Sequence, residues 1–309
     1  LAPEGLSVLS GLDGDLAPEM AERRAMLDLA LSLLDTRDRP LSDHAIAALG
    51  AQFAGWSDQA LFLSLQLYRS GEVVGAGALL GRARARLGQY PVPLRVALLP
   101  ELLDLAIEVR DWTAARELAA QFSETPELAE SGAYAFLLGR TAEAGGDLLA
   151  AFDNYRRAST GTDRWAHRAR VALIELGLAS ETLSLQDART LMDQASRIWT
   201  GDVDAIALLQ RMAAVELAMD SPVAALGAFA RLLSRYPNSD QTALVRQQAR
   251  SLWTAFYRRG ANGDLGLSEF LAGHRTFSQD YRFEPGFGAE TEKLADRFME
   301  AGATMVAAD

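Results

Sequence analysis

Apolar residues recur along nearly the whole chain at spacings of three and four. Leu27, Leu31 and Leu34 form one such stripe, Leu98, Leu102, Leu105 and Val109 a second, and Leu208, Met212, Val215 and Met219 a third. That period places them on one face of a helix. No run of β-branched and aromatic residues alternates at period two for long enough to make a strand. Glycine and proline punctuate the pattern at Arg39-Pro40, Gly71, Gly88, Thr125-Pro126, Gly145-Gly146, Gly161, Gly201, Ser221-Pro222, Pro237-Asn238 and the loop 260–266. The segments between them are about 12–20 residues long, which predicts about fifteen helices. Thr125, Ser184, Ser221 and Ser239 are placed to cap helix N-termini with a side-chain oxygen.

The helices repeat. Asp111-Trp112-Thr113-Ala114-Ala115, Asp147-Leu148-Leu149-Ala150-Ala151, Ser184-Leu185-Gln186-Asp187-Ala188 and Ser221-Pro222-Val223-Ala224-Ala225 align, with their last alanines at 115, 151, 188 and 225, in steps of 36, 37 and 37. Four residues after each alanine stand Ala119, Tyr155, Met192 and Phe229. A period of this length holds one helical hairpin. A lone hairpin cannot bury its apolar face, so neighbours must stack. Stacking also lets 309 residues exceed the size at which a single hydrophobic core stops growing without a break into domains.

These units resemble tetratricopeptide repeats. Residues 132–163 carry the pattern best, with Gly139, Gly146-Asp147, Ala151, Tyr155 and Ala158; residues 206–239 follow, with Ala213, Ala225, Phe229 and the closing Tyr236-Pro237-Asn238-Ser239. The other units depart from it. Leu176 stands where the best unit has glycine, residues 179–183 lengthen one repeat, and the part 240–309 is the most divergent. The resemblance implies an all-α, right-handed superhelix of stacked hairpins, here one continuous domain over 1–309. Phe283-Glu284-Pro285-Gly286-Phe287-Gly288, followed by Leu294-Ala295-Asp296-Arg297-Phe298, is similar to a segment of large alphaproteobacterial tetratricopeptide-like proteins. The Tyr-Pro-Asn-Ser closure is similar to that of periplasmic members of the outer-membrane assembly type. Both resemblances imply a periplasmic or envelope-associated protein, with a cytoplasmic location as the alternative. The opening Leu-Ala-Pro-Glu-Gly-Leu and the ending Thr304-Met305-Val306-Ala307-Ala308-Asp309 read as a fragment of something longer.

Composition narrows the chemistry. Cysteine is absent, Lys293 is the only lysine, and there are three histidines, His44, His167 and His274. Thiolate nucleophiles and cysteine-ligated zinc are thereby excluded. The net charge of −11 argues against nucleic acid, which needs a basic face. No apolar run approaches the ~20 residues of a membrane span. Gly75, Gly77 and Gly81 have the wrong spacing and helical flanks for a dinucleotide loop, so close helix packing is expected of them. His44 and His167 read as helix-surface residues. His274, near Arg275, Asp280, Tyr281 and Glu284, is the one cluster with mixed chemistry, and no nucleophile or oxyanion donor accompanies it. Glu290 and Glu292, two apart at a helix start, face different ways and favour the helix dipole. Arg82, Arg84 and Arg86, and likewise Arg164, Arg168 and Arg170, read as solvated helix faces; the five tryptophans read as anchors between repeats.

The family resemblance implies that first helices line a concave groove in which a protein or peptide partner lies. Its groove positions fall on Asp104, Glu108, Phe136, Arg140, Glu143 and Arg170. Two charge signs and an aromatic suit a peptide or partner helix. The expectation is a non-catalytic protein-interaction scaffold with no cofactor and no metal. Two alternatives stay open, the superhelical accessory region of an envelope enzyme of the lytic-transglycosylase kind and a cytoplasmic regulator.

Overall fold

The computed structural model describes residues 2–12, 16–35, 40–239 and 241–303. Arg39 of the expected break at 39–40 and the terminal residues 304–309 lie outside them. Among the described residues the protein is all-helical, with no strand. The described residues form seventeen α-helices, fifteen of them seven residues or longer. The chain divides into two compact units, 1–173 and 174–309, with the boundary inside one helix.

The first unit contains α1 (Ala2–Ser10), α2 (Pro18–Leu34), α3 (Asp43–Ala48), a 3-10 turn (Ala51–Phe53), α4 (Gln59–Arg69), α5 (Val73–Leu87), α6 (Val92–Glu108), α7 (Trp112–Ser123), α8 (Pro126–Ala129), α9 (Gly132–Ala144), α10 (Leu148–Ala158) and the start of α11 (Arg164–Ala179). Helices α4/α5, α6/α7 and α9/α10 pair as hairpins, and the first helices α4, α6 and α9 pack in succession. The second unit holds the rest of α11, then α12 (Leu185–Ile198), α13 (Asp202–Ala218), α14 (Pro222–Arg235), α15 (Thr242–Ala261), α16 (Leu267–Tyr281) and α17 (Phe287–Glu300).

One turn recurs between the helices of a hairpin. The amides of Glu72, Asp111, Asp147 and Ser221 donate back to the carbonyls of Leu67, Ala106, Ala142 and Glu216 at 2.8–2.9 Å. The residue before each is left-handed: Gly71, Arg110, Gly146 and Asp220, at φ 84°, 59°, 81° and 53°. This six-to-one bond with a left-handed residue is the Schellman ending, which satisfies carbonyls the helix leaves open. At Asp111 and Asp147 the carboxylate then caps the next helix by accepting from the amides of Ala114 and Ala150 at 3.0 Å. Of the four expected caps, Ser184 accepts from the amide of Asp187 at 3.1 Å. The others differ. The Thr125 hydroxyl donates back to Gln121, that of Ser221 to Met219, and Ser239 lies ahead of α15, where its oxygen takes the Gln241 amide.

The periodic alanines Ala115, Ala151, Ala188 and Ala225 are all buried, as are Tyr155, Met192 and Phe229 four residues further on. Gly139 shows why small residues are needed there. A Cβ on it would lie 2.5 Å from the Tyr155 ring, so only glycine lets that ring pass between α9 and α10. In the second unit the core of α15, α16 and α17 is aromatic. Phe256, Tyr257, Phe270, Phe277 and Phe287 meet mostly edge to face at centroid distances of 5.2–6.2 Å.

Candidate interaction face

Helices α4, α6, α9 and the start of α11 bring one row of charged and aromatic side chains together within the first unit. Its centre is Asp104 on α6, whose side chain is fully buried. Arg140 on α9 and Arg168 on α11 each pair with one of its oxygens, and the Tyr68 hydroxyl on α4 donates to it at 2.6 Å. Arg140 also pairs with the half-exposed Glu108. Nearby, Arg69 forks onto Glu101 at 2.8 and 2.9 Å while donating to the Leu33 carbonyl at 2.7 Å; Arg164 approaches Glu101 at 3.9 Å. The guanidinium of Arg168 lies over the rings of Phe136 and Trp165, 4.7 and 5.2 Å from their centroids, which suits a cation–π contact. Tyr155 donates to Glu143 at 2.5 Å.

The contacts follow the repeat. Tyr68 reaches Asp104 and Asp104 reaches Arg140, each 36 residues along the chain. In the second unit Glu175 pairs with Arg211 at the same separation, and Tyr236 donates to the Thr200 carbonyl. Residues one hairpin apart therefore stand side by side on neighbouring helices.

Burial pushes the Asp104 carboxyl up, but the charges of Arg168 and Arg140 and the bonds from Arg168 and Tyr68 outweigh it, and the group stays below the ordinary carboxylate range. The Tyr68 hydroxyl is pushed up by burial and by the negative charge of Asp104, so it remains a donor. Three carboxylates, Glu101, Asp104 and Glu108, thus meet four guanidiniums, Arg69, Arg140, Arg164 and Arg168, on this face, while Glu143 accepts from the Tyr155 hydroxyl. A buried charge requires such pairing, since desolvation of an unpaired ion costs several kcal/mol.

Five of the six sequence-derived groove residues are therefore neighbours. Asp104 and Phe136 are buried; Arg140 is mostly covered by its own ion pairs; Glu108 and Glu143 remain open to solvent. Arg170 is directed elsewhere and donates to the Gly161 carbonyl in the turn ahead of α11. Sequence reasoning missed Tyr68, Glu101 and Arg69, and it took Arg164 and Arg168 for a solvated face. Arg168 is only 28 residues after Arg140, off the repeat step, and no periodic signal marks it. Of Arg82, Arg84 and Arg86, Arg84 pairs with Glu117 and Arg86 with Asp58.

The other constellations resolve differently. His167, expected on a surface, has no exposure at all, because α11 is covered on the face carrying Ala166, Ala169 and Ile174 as well as its own. His44 is exposed as expected. The His274 ring bonds Tyr257 through Nδ1 at 2.6 Å, and burial with the charge of Arg275 lowers its pKa. Its sequence neighbours part company: Tyr281 donates to the Leu226 carbonyl at 2.7 Å, and Glu284 pairs with Arg246 at 3.3 Å. Glu290 sits in the first turn of α17 and pairs with Lys293 at 2.6 Å. A Cβ on Gly77 would meet Val109 at 2.8 Å, which is the expected close packing, whereas Gly81 has open space around it. Trp253 is buried edge-on to Phe287; Trp112 is exposed. Among the described residues no three of His, Asp and Glu are placed to hold a metal ion, and no helix is long and apolar enough to cross a membrane.

Comparison with family models finds none that matches the chain, and no curated protein matches it.

Proposed function

We propose that the chain is a non-catalytic protein-interaction scaffold of tetratricopeptide-like hairpins from the bacterial cell envelope, and that a protein or peptide partner docks along the row of first helices. One observation carries this reading: α4, α6, α9 and α11 converge charges of both signs and two aromatics on a single face, with Glu108 and Glu143 open to solvent above a paired and rigid centre. Fixed, preorganised charge selects partners and orients them at little entropic cost. The non-catalytic part is supported by His274, two of whose sequence neighbours, Tyr281 and Glu284, are bonded elsewhere. The envelope assignment rests on the resemblances of the Tyr-Pro-Asn-Ser closure and of residues 283–298.

The test is affinity capture from bacterial envelope extract with the double variant Glu108→Lys/Glu143→Lys, after a thermal melt shows that it folds. The expected result is loss of the proteins that the unaltered chain retains. Capture of the same proteins in the same amounts would remove this face from the account.

A further inference from the structure

We propose that a cleft between α4 and α5, separate from the interaction face, binds a small organic acid: a carboxylate on an aromatic or branched apolar body. The cleft has a volume of about 400 Å³, within the size range of small-molecule sites. Trp56 forms one wall. Its indole is stacked on Phe62 at 5.4 Å and 19°, which holds it in place. Leu63 of α4 and Leu79 of α5 supply apolar floor, and Gln59 stands at the edge. The Gln59 amide nitrogen is already used on the Ala48 and Gly50 carbonyls at 3.3 and 2.8 Å, which fixes that side chain too.

Two arginines line the same cleft one helical turn apart on α5, and they differ. Arg86 is neutralised. It bonds Asp58 and Gln89 and lies 5.9 Å from the Tyr90 ring centroid. Burial raises the Asp58 carboxyl, but hydrogen bonds from Arg86 and Tyr90 and the Arg86 charge bring it below the ordinary range, so the pair stays ionised. Arg82 has no hydrogen-bond or ion-pair partner among the described residues. An apolar floor, a fixed aromatic wall and one uncompensated cation at the rim define the ligand: apolar body inward, single negative charge outward. A cation would face Arg82 unfavourably, and a neutral apolar body would leave Arg82 unused.

The probe is 4-phenylbutyrate, with 4-phenylbutylamine as its charge-reversed control. Binding is read from the indole N–H resonance of Trp56, assigned with Trp56→Phe. The expected result is a saturable shift with the acid and a smaller one with the amine. Arg82→Glu should weaken the acid about threefold, the scale of one exposed ion pair, and strengthen the amine. Ala85→Phe, at an exposed position on the cleft wall, should abolish both shifts with the thermal melt unchanged. Equal responses to acid and amine, no movement of the Trp56 resonance, or indifference to both variants would overturn the proposal. So would an acidic peptide that displaces the free acid at lower concentration, since the cleft would then belong to a protein partner.

Discussion

The substitution Asp104→Asn tests the electrostatic core of the proposed interaction face. It keeps the shape of the side chain and deletes its charge, leaving Arg140 and Arg168 directed at a neutral amide with Glu108 as the nearest compensation. Removing one partner of a buried ion pair costs about 3–5 kcal/mol. Both guanidiniums keep about a fifth of their surface open, at 20% and 18%, so solvent screens part of the effect. The lower end, about 3 kcal/mol, is therefore expected, or a fall of roughly 6–12 °C in melting temperature for a unit of this size. The assay is thermal and urea unfolding followed by circular dichroism at several pH values. Because the folded Asp104 carboxyl is held below the unfolded value of about 3.9, its contribution is present in full above that value and is lost as pH falls through the folded pKa. The gap between the two proteins should narrow below about pH 4. Tyr68→Phe removes one hydrogen bond to a charged carboxylate and should cost about 1.5–3 kcal/mol alone, and less beside Asp104→Asn. A variant within about 0.5 kcal/mol of the parent at pH 7 would refute the claim that the buried carboxylate holds the two arginines.

Gly139→Ala forces a Cβ against the Tyr155 ring and should destabilise the α9/α10 hairpin by about 1–3 kcal/mol in the same melts. Arg110→Gly relieves a left-handed residue at a hairpin turn and should stabilise by about 1 kcal/mol. His274 should titrate below the ordinary value of 6.5 in proton NMR. Its folded pKa lies under its unfolded one, so stability should fall as pH drops below about 6.5, and His274→Gln should flatten that limb.

The repeat was legible because hairpin stacking constrains size at fixed positions. Ala115, Ala151, Ala188 and Ala225 recur at a nearly constant step, and all four are buried. Of the expected loop 260–266 only 262–266 lies between helices, because Gly260 and Ala261 close α15 and Gly260 packs against the Phe270 ring; of the lengthened stretch 179–183, Ala179 still ends α11 and 180–183 form the turn with a left-handed Glu181. The period further placed Asp104, Glu108, Phe136, Arg140 and Glu143 near one another. It could not show that Asp104 is buried, because burial there depends on two arginines folding over it. Arginine is long enough to reach past a neighbouring helix, as Arg168 does from α11 to α6, and such reach leaves no mark in a period. His167 was misplaced because Arg164, Arg168 and Arg170 around it make that part of α11 read as solvated, whereas Ala166, His167 and Ala169 between them are all buried.

The central claim, that partners dock along the first helices, is tested most directly by site-specific photo-crosslinking in living bacteria. A photoreactive phenylalanine analogue would replace Glu108 or Glu143 on the open part of that face. The control position would be Val74 on α5, a second helix, which is 89% exposed. The account predicts discrete adducts to the same protein from both glutamate positions and none from Val74. No adduct at either glutamate, or the same adducts from all three positions, would contradict it.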